Sequence, residues 1–436
     1  VRNPATRSGG IADHAVRRPH GTADTVPHVD GARLLRRIDR FSRIGGAEDG
    51  GVTRMGFSEA DREARARLVS EARAAGLETS VDAGGNVFIS RSTVRPKSPA
   101  RPRILIGSHL DTVANGGRLD GAYGVLAGLE VLQCLAESGT VTGCDVVVVA
   151  FANEEGALFP QPFWGSMVLA GRLDALPSEP RDHAGRPLRE ALALAGGDLS
   201  DLASAVWAPD SVVGYLELHV EQGPVLERLG LPIGVVDSIT GRTQLTVEVT
   251  GVAGHAGTSP MEGRRDPLVA AAEAVLSVER LAREDRLCRV ATVGWLEVTA
   301  NSPNTIPGCV RFSVDIRDSD SAGLAAAEQA LRATLADLAE RREVRIAIEV
   351  AVRTDRVRTD PRLRQEIAAA AADLGLACEA MPSGAGHDAQ VVADIAPVGM
   401  IFVPSVDGVS HVPAERTAPE HLTAGAEVLL RTVLRL

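Results

Sequence analysis

The chain has 436 residues, enough for two domains and a large apolar core. Its 46 Lys and Arg are scattered among 57 Asp and Glu, and the formal net charge of −11 argues against a nucleic-acid or anionic-membrane partner. No apolar run approaches the roughly 20 residues needed to span a bilayer, and Cys134, Cys144, Cys288, Cys309 and Cys378 lie far apart with no CxxC, which points to a reducing, cytoplasmic setting rather than a disulfide framework or a thiolate metal site.

Residues 1–27 contain Gly, Pro and Arg but no apolar stretch of the kind found in a secretory signal, and are expected to form a disordered tail. Helical periodicity begins near Gly31 (GARLLRRIDRFSRIG) and returns from Ser58 to Ala75, with Ser58 placed to cap. Val87-Phe88-Ile89 reads as a strand and Arg103-Ile104-Leu105-Ile106 as a buried one. Gly121 to Leu135 is an Ala/Gly-rich apolar helix suited to packing on a sheet, and Asp145 to Phe151 (DVVVVAF) is another buried strand. Residues 160–213 read as short helices broken by prolines, followed by a strand from Val213 to His219.

Residues 243 to 350 change character. They read as strand (Gln244–Thr250), helix (Asp266–Arg283), strand (Arg289–Val298), strand (Val310–Arg317), helix (Ser321–Glu340) and strand (Arg345–Val350). This βαββαβ order is a ferredoxin-like split βαβ unit. It interrupts a βα pattern that resumes with a helix at Pro361–Leu374. The predicted fold is therefore α/β, with a mixed-sheet domain at 28–240 plus 352–436 and an inserted domain at 241–351.

Gly107-Ser108-His109-Leu110-Asp111-Thr112-Val113, Asp120-Gly121 and Asn153-Glu154-Glu155-Gly156 place imidazole and carboxylate groups after apolar strands. Ligands bind at such C-terminal strand ends in open α/β sheets, and these residue types suit a two-metal hydrolytic site. His109 and Asp111 are two apart, so on an extended backbone they point the same way, as a ligand histidine and the carboxylate that holds it would. Taken singly, each has a blander reading. A strand-end histidine such as His219 or His411 is more often a satisfied or surface residue, Asp120-Gly121 a turn, and Glu154-Glu155 a solvated pair. Ser383-Gly384-Ala385-Gly386 lacks the Lys and spacing of a P-loop, GAYGVLAG (121–128) is not a GxGxxG fingerprint, and Gly-x-Ser-x-Gly is absent.

Eight ordered blocks settle the weighing: GSHLDTV (107–113), GRLDGAYGVLAGLEVL (117–132), FANEEGALF (151–159), ELHVEQGPVLE (217–227), GVAGHAGTSPMEGRRDPL (251–268), NTIPG (304–308), SGAGHDAQ (383–390) and GVSHVPAE (408–415). In them the chain resembles the metal-dependent amidohydrolases of the M20 peptidase superfamily, in the branch of N-carbamoyl-L-amino-acid hydrolase, β-ureidopropionase and allantoate amidohydrolase. The resemblance implies two divalent ions (Zn, Mn, Co or Ni) per subunit, with Asp120 bridging them, His109 and His219 completing one site, and Glu155 and His411 completing the other. It implies Glu154 as general base. It also implies that His255, often reaching in from the partner subunit of a homodimer, donates to the developing oxyanion, and that the inserted domain is a lid and dimerisation unit. Asn304 and Arg317 would hold the substrate carboxylate, Gln222 would bond the ureido group or support the site, and His387 would touch the substrate. Two positions depart from the general metallopeptidases of the superfamily: Gly121 stands where a second acid is usual, and His219 where a carboxylate is usual. Both match the carbamoyl branch. The expected reaction is cleavage of a carbamoyl C–N bond in an N-carbamoyl-L-amino acid or related ureido acid, with amine, CO2 and ammonia as products. Allantoate, β-ureidopropionate or ureidoglycolate hydrolysis, an aminoacylase or peptidase, and a silent metal-stabilised dimer that binds small acids remain the alternatives.

Overall fold

The computed structural model describes Val1 and residues 26–91, 101–173, 180–182 and 184–436. Apart from Val1, Val26 and Pro27, the expected N-terminal tail lies outside the described residues.

In chain order the strands are β1 Glu78–Val81, β2 Val87–Ser90, β3 Arg103–His109, β4 Asp145–Phe151, β5 Val212–Val220, β6 Ile233–Ile239, β7 Gly241–Thr250, β8 Gly254–His255, β9 Val290–Thr292, β10 Leu296–Val298, β11 Thr305–Ile306, β12 Cys309–Asp318, β13 Arg345–Thr354, β14 Val357–Arg358, β15 Cys378–Ser383 and β16 Val398–Val403. Nine of them form one mixed sheet in the order β1-β2-β4-β3-β5-β16-β6-β14, with β15 also on β6. Its middle strands β3, β4, β5 and β16 are buried almost throughout and run parallel to one another. Continuous apolar runs such as DVVVVAF are what a sheet covered on both faces requires. The helices Gly31–Ser42, Glu59–Ala74, Ala122–Glu137, Pro361–Asp373 and Pro419–Arg435 supply much of that cover. As expected, Ser58 caps the second of them, its side chain accepting from Asp61 N. Because the four central strands are parallel, their C-terminal ends share one edge. His109, the 152–156 segment, His219 and the loop after Val403 all emerge there.

A second sheet of five antiparallel strands has the order β10-β12-β7-β13, with β9 also on β12. On β7 the residues alternate buried and half-buried. One face carries Leu245, Val247, Val310, Phe312 and Val314, against the helices Pro267–Arg283 and Ser321–Arg342. The single strand expected over Arg289–Val298 is two. Thr292 pairs with Asp315, whereas Leu296 pairs with Phe312, one residue out of step. The extra residue is absorbed at Gly294-Trp295, where both N–H groups donate to Ser313 Oγ (3.3 and 3.1 Å). The short strands β8 and β11 pair apart from both sheets. All five cysteines are free thiols, and among the described residues no helix is long and apolar enough to cross a membrane.

Candidate metal centre

His109 ends β3 and His219 lies next to the end of β5, so two neighbouring parallel strands present both imidazoles at the same edge. Asp120 comes from the loop before the helix Ala122–Glu137, and its two oxygens face different ways. Oδ1 lies 3.1 Å from His219 Nε2 and 3.6 Å from His109 Nε2. Oδ2 lies 3.1 Å from His411 Nε2, which is itself 3.4 Å from Glu155 Oε1. The groups His109–Asp120–His219 and Asp120–Glu155–His411 each bring three ligand atoms within 4.8 Å of one another and share Asp120. All of these residues are buried or partly buried except the half-exposed His411.

The donor set fits a pair of cations. Nδ1 of His109 lies 2.9 Å from Asp111 O, and Nδ1 of His219 lies 2.9 Å from Val220 O. A carbonyl oxygen only accepts, so each Nδ1 donates its proton there, and each Nε2 faces Asp120 and would offer its lone pair once a cation replaced the proton. Donation of the second ring N–H to a carbonyl is the usual arrangement of a metal-bound histidine. Among the described residues, Glu155 Oε1 and Gln222 Oε1 are buried without a hydrogen bond. Electrostatics point the same way. Burial, then the charges of Asp120 and Asp111, push Glu155 up to about 8. Burial and the neighbouring Glu155, Asp388, Asp111 and Asp120 raise Glu154 well above the usual carboxylate range. Burial alone would lower His219, but its bond to Asp120 outweighs that and lifts it to about 9. The same bond, against burial, lifts His411 to about 9. Acids crowded into a dry site, with imidazoles drawn toward protonation, mark a place where positive charge is wanted.

Asp111 corrects the expectation that its carboxylate holds His109. The carbonyl does so, while the carboxylate oxygen is 3.8 Å from the ring. The alternation argument fails because β3 stops at His109 and the next residues leave the strand. The Asp111 carboxylate instead accepts the N–H groups of Glu154 and Glu155, both at 3.1 Å, and fixes the acid pair. Glu154 Oε2 comes within 3.7 Å of His109 Nε2, on the side of the first triad.

The remaining expected residues divide. Gln222 Nε2 donates to Asp120 Oδ2 at 2.8 Å. His387 is buried edge-on to the His219 ring (4.7 Å between centroids), with Nε2 2.8 Å from Ser383 Oγ. Burial and the charge of His219 push it well below the usual imidazole range. Arg317 is held by Asp315 (Nε to Oδ1, 2.9 Å) and donates from Nη1 to Gly384 O at 3.1 Å. His255, exposed at the end of β8, and Asn304, exposed just ahead of β11, lie close together, with Ala256 N donating to Asn304 O at 2.9 Å. Among the described residues neither His255 nor Asn304 makes a hydrogen bond or ion pair with the centre.

Glu415 escaped the sequence reading. This buried carboxylate accepts the N–H groups of Leu119 (2.8 Å) and Asp120 (3.1 Å) and the hydroxyl of Ser410. Ser410 Oγ also lies 3.1 Å from Asp120 Oδ2. Glu415 thus ties the shared aspartate to the loop that carries His411. Its place in the GVSHVPAE block was the only signal.

The profile of peptidase family M20/M25/M40 matches residues 105–435. The chain is 41% identical over 408 residues to the N-carbamoyl-L-amino acid amidohydrolase of Geobacillus stearothermophilus, covering 94% of this chain and 99% of that one. It is 36% identical over 404 residues to the allantoate amidohydrolase of Bacillus subtilis, covering 92% and 96%. A solved amidase of the hydantoinase/carbamoylase family from Burkholderia vietnamiensis superposes with a TM-score of 0.81 at 37% identity, over 95% of this chain and 98% of that one. With a shared aspartate between two ligand triads, and with these likenesses along nearly its whole length, the chain belongs to peptidase family M20/M25/M40.

Proposed function

We propose that the chain is a metal-dependent hydrolase of the carbamoyl C–N bond in an N-carbamoyl-L-amino acid or a related ureido acid, yielding the amine, CO2 and ammonia. The observation that carries this reading is the sharing of Asp120 by two triads with Glu154 beside them. The relatives' names supply the class of bond. His109, Asp120 and His219 would hold one divalent ion and Asp120, Glu155 and His411 the other; imidazole and carboxylate donors suit Zn, Mn, Co or Ni. When bound, such a pair supplies positive charge that acidifies water and polarises a carbonyl.

The chain's own groups do the rest. Glu154 takes a proton from the attacking water and later delivers it to the departing nitrogen, a task suited to a carboxylate whose proton affinity has been raised. Asp111 keeps the main chain of Glu154 and Glu155 fixed while the proton moves. Gln222, bonded to Asp120, orients the carboxylate and lies beside the space for the ureido group. Arg317, its Nε–Nη2 edge bound to Asp315, offers the substrate carboxylate its remaining Nη hydrogens, and His387 backs the His219 ring. Residues 241–351 act as a lid and dimerisation domain. His255 and Asn304 reach the reacting group when that domain closes, or when a second copy of the chain presents its own pair, and His255 then donates to the oxyanion.

Ammonia release is the test. Chelated protein, reconstituted with Mn, Co or Zn, is given N-carbamoyl-L-amino acids, allantoate, ureidoglycolate and β-ureidopropionate, with N-acetyl amino acids and dipeptides alongside. Release from at least one ureido acid, abolished by chelation, is expected. Turnover of N-acetyl or dipeptide substrates alone would make the chain an aminoacylase or peptidase. Bound metal with no turnover of any substrate would make it a silent small-acid binder.

A further inference from the structure

Three guanidinium groups gather where the second sheet meets the 383–387 loop. Asp315 takes Arg242 (Nη2, 2.6 Å) and Arg317 (Nε, 2.9 Å), so one carboxylate is shared by two cations. The third is Arg289, just ahead of β9. Its main-chain N–H donates to Asp318 Oδ2 at 2.7 Å. Its exposed guanidinium makes no hydrogen bond or ion pair among the described residues. A Cβ on Gly384 would stand 3.8–4.0 Å from that guanidinium, while Arg317 Nη1 bonds to the Gly384 carbonyl. Two arginines therefore meet over one glycine, and Gly384 lacks the side chain that would separate them from the loop.

That glycine is close to the chemistry. Its neighbour Ser383 bonds to His387, and His387 packs on the His219 ring. The acids facing this corner are already engaged. Asp315 is shared, Asp318 accepts main-chain N–H groups of Arg289 and Asp320, and Glu221 accepts from Val225 N and Leu226 N. Those three carboxylates match the three cations in number, and Glu221 feels the charge of Arg289, but among the described residues none of them reaches the Arg289 guanidinium with a hydrogen bond or ion pair. Asp315 occupies the Nε–Nη2 edge of Arg317, leaving it the remaining Nη hydrogens, whereas Arg289 keeps its whole fork open to an anion.

We propose that Arg289 is a specificity-determining residue that binds a second carboxylate, so that the preferred substrates are N-carbamoyl derivatives of dicarboxylic amino acids, with the α-carboxylate on Arg317 and the side-chain carboxylate on Arg289. This rests on the reading of the chain as an N-carbamoyl hydrolase. An arginine left open by the protein is matched by a substrate that brings its own acceptor, and a neutral side chain leaves the guanidinium without a partner.

The experiment compares N-carbamoyl-L-glutamate and N-carbamoyl-L-aspartate with their uncharged amides, on the metal-reconstituted full chain and on R289A and R289K. In the wild type, kcat/KM is expected to favour each acid over its amide at least tenfold. R289A is expected to erase that ratio by raising KM for the acids, with kcat moving less, and R289K to restore part of it. A wild-type ratio near one, or a loss in R289A that is equal for acids and amides, would overturn the assignment. If no N-carbamoyl acid is hydrolysed, the proposed reaction fails on its own terms. Calorimetric binding of the same pairs to E154Q, with and without R289A, then decides the arginine separately: an Arg289-dependent preference for the acid upholds it, and equal binding overturns it.

Discussion

Asp111 serves the centre through two groups at once, its carbonyl on His109 and its carboxylate on the Glu154 and Glu155 N–H groups. Substitution can separate them. D111N keeps the carbonyl but weakens the grip on the acid pair, so metal content is expected to persist while kcat falls about tenfold to hundredfold; loss of metal with activity would return the carboxylate to the role of holding the imidazole. E154Q removes the proton carrier and leaves the ligands intact. Turnover is expected to drop by about 10²–10⁴ with metal stoichiometry unchanged by elemental analysis. At this scale the sequence was most legible where a residue follows a strand. His109, Glu154, Glu155 and His219 stand at or just beyond apolar runs, and Asp120 lies in a matched block. Glu415 was not legible. It sits in a polar loop, and its partners Leu119 and Asp120 are 296 and 295 residues away, a relation no local pattern encodes.

Gly121 shows why an element must begin as it does. It sits at φ +60°, immediately before the helix Ala122–Glu137, and a Cβ there would lie 2.3–2.4 Å from the His109 ring. The position where related metallopeptidases carry an acid therefore has no room for a side chain. G121A adds strain at a backbone conformation that L residues rarely adopt, about 1–3 kcal/mol, to a collision with a ligand. It is expected to keep its far-UV circular dichroism while metal affinity falls at least tenfold, and unchanged affinity would mean that the ring can step aside. Element boundaries were legible where periodicity was strong. The second sheet's strand and helix order follows the βαββαβ expectation. The break at Gly294-Trp295 did not show, because both halves are short, mixed in polarity and paired to the same strand.

The molecule joins two sheets with separate cores, and Arg317 crosses between them to Gly384. Its stability should follow the charge state of the centre. Glu155 is raised from 4.5 to about 8, so the folded state holds that proton longer than the unfolded chain does. His219 and His411, raised from 6.5 to about 9, also favour the folded state fully only below their unfolded value. Both effects have one sign: metal-free protein loses stability as pH climbs through 4.5–8 for Glu155 and 6.5–9 for the histidines. Calorimetric scans are expected to show Tm of the chelated protein falling across pH 6 to 9 and the metal-loaded protein falling less. Equal slopes would detach these groups from the centre. A last consequence lies in the two-sided grip on Asp120. One oxygen faces each triad, so both sites draw on a single negative charge, and filling one would neutralise Asp120 and set positive charge beside the other. The second equivalent should therefore bind more weakly than the first, and titration of stripped protein should show two separate steps with half-loaded molecules between them.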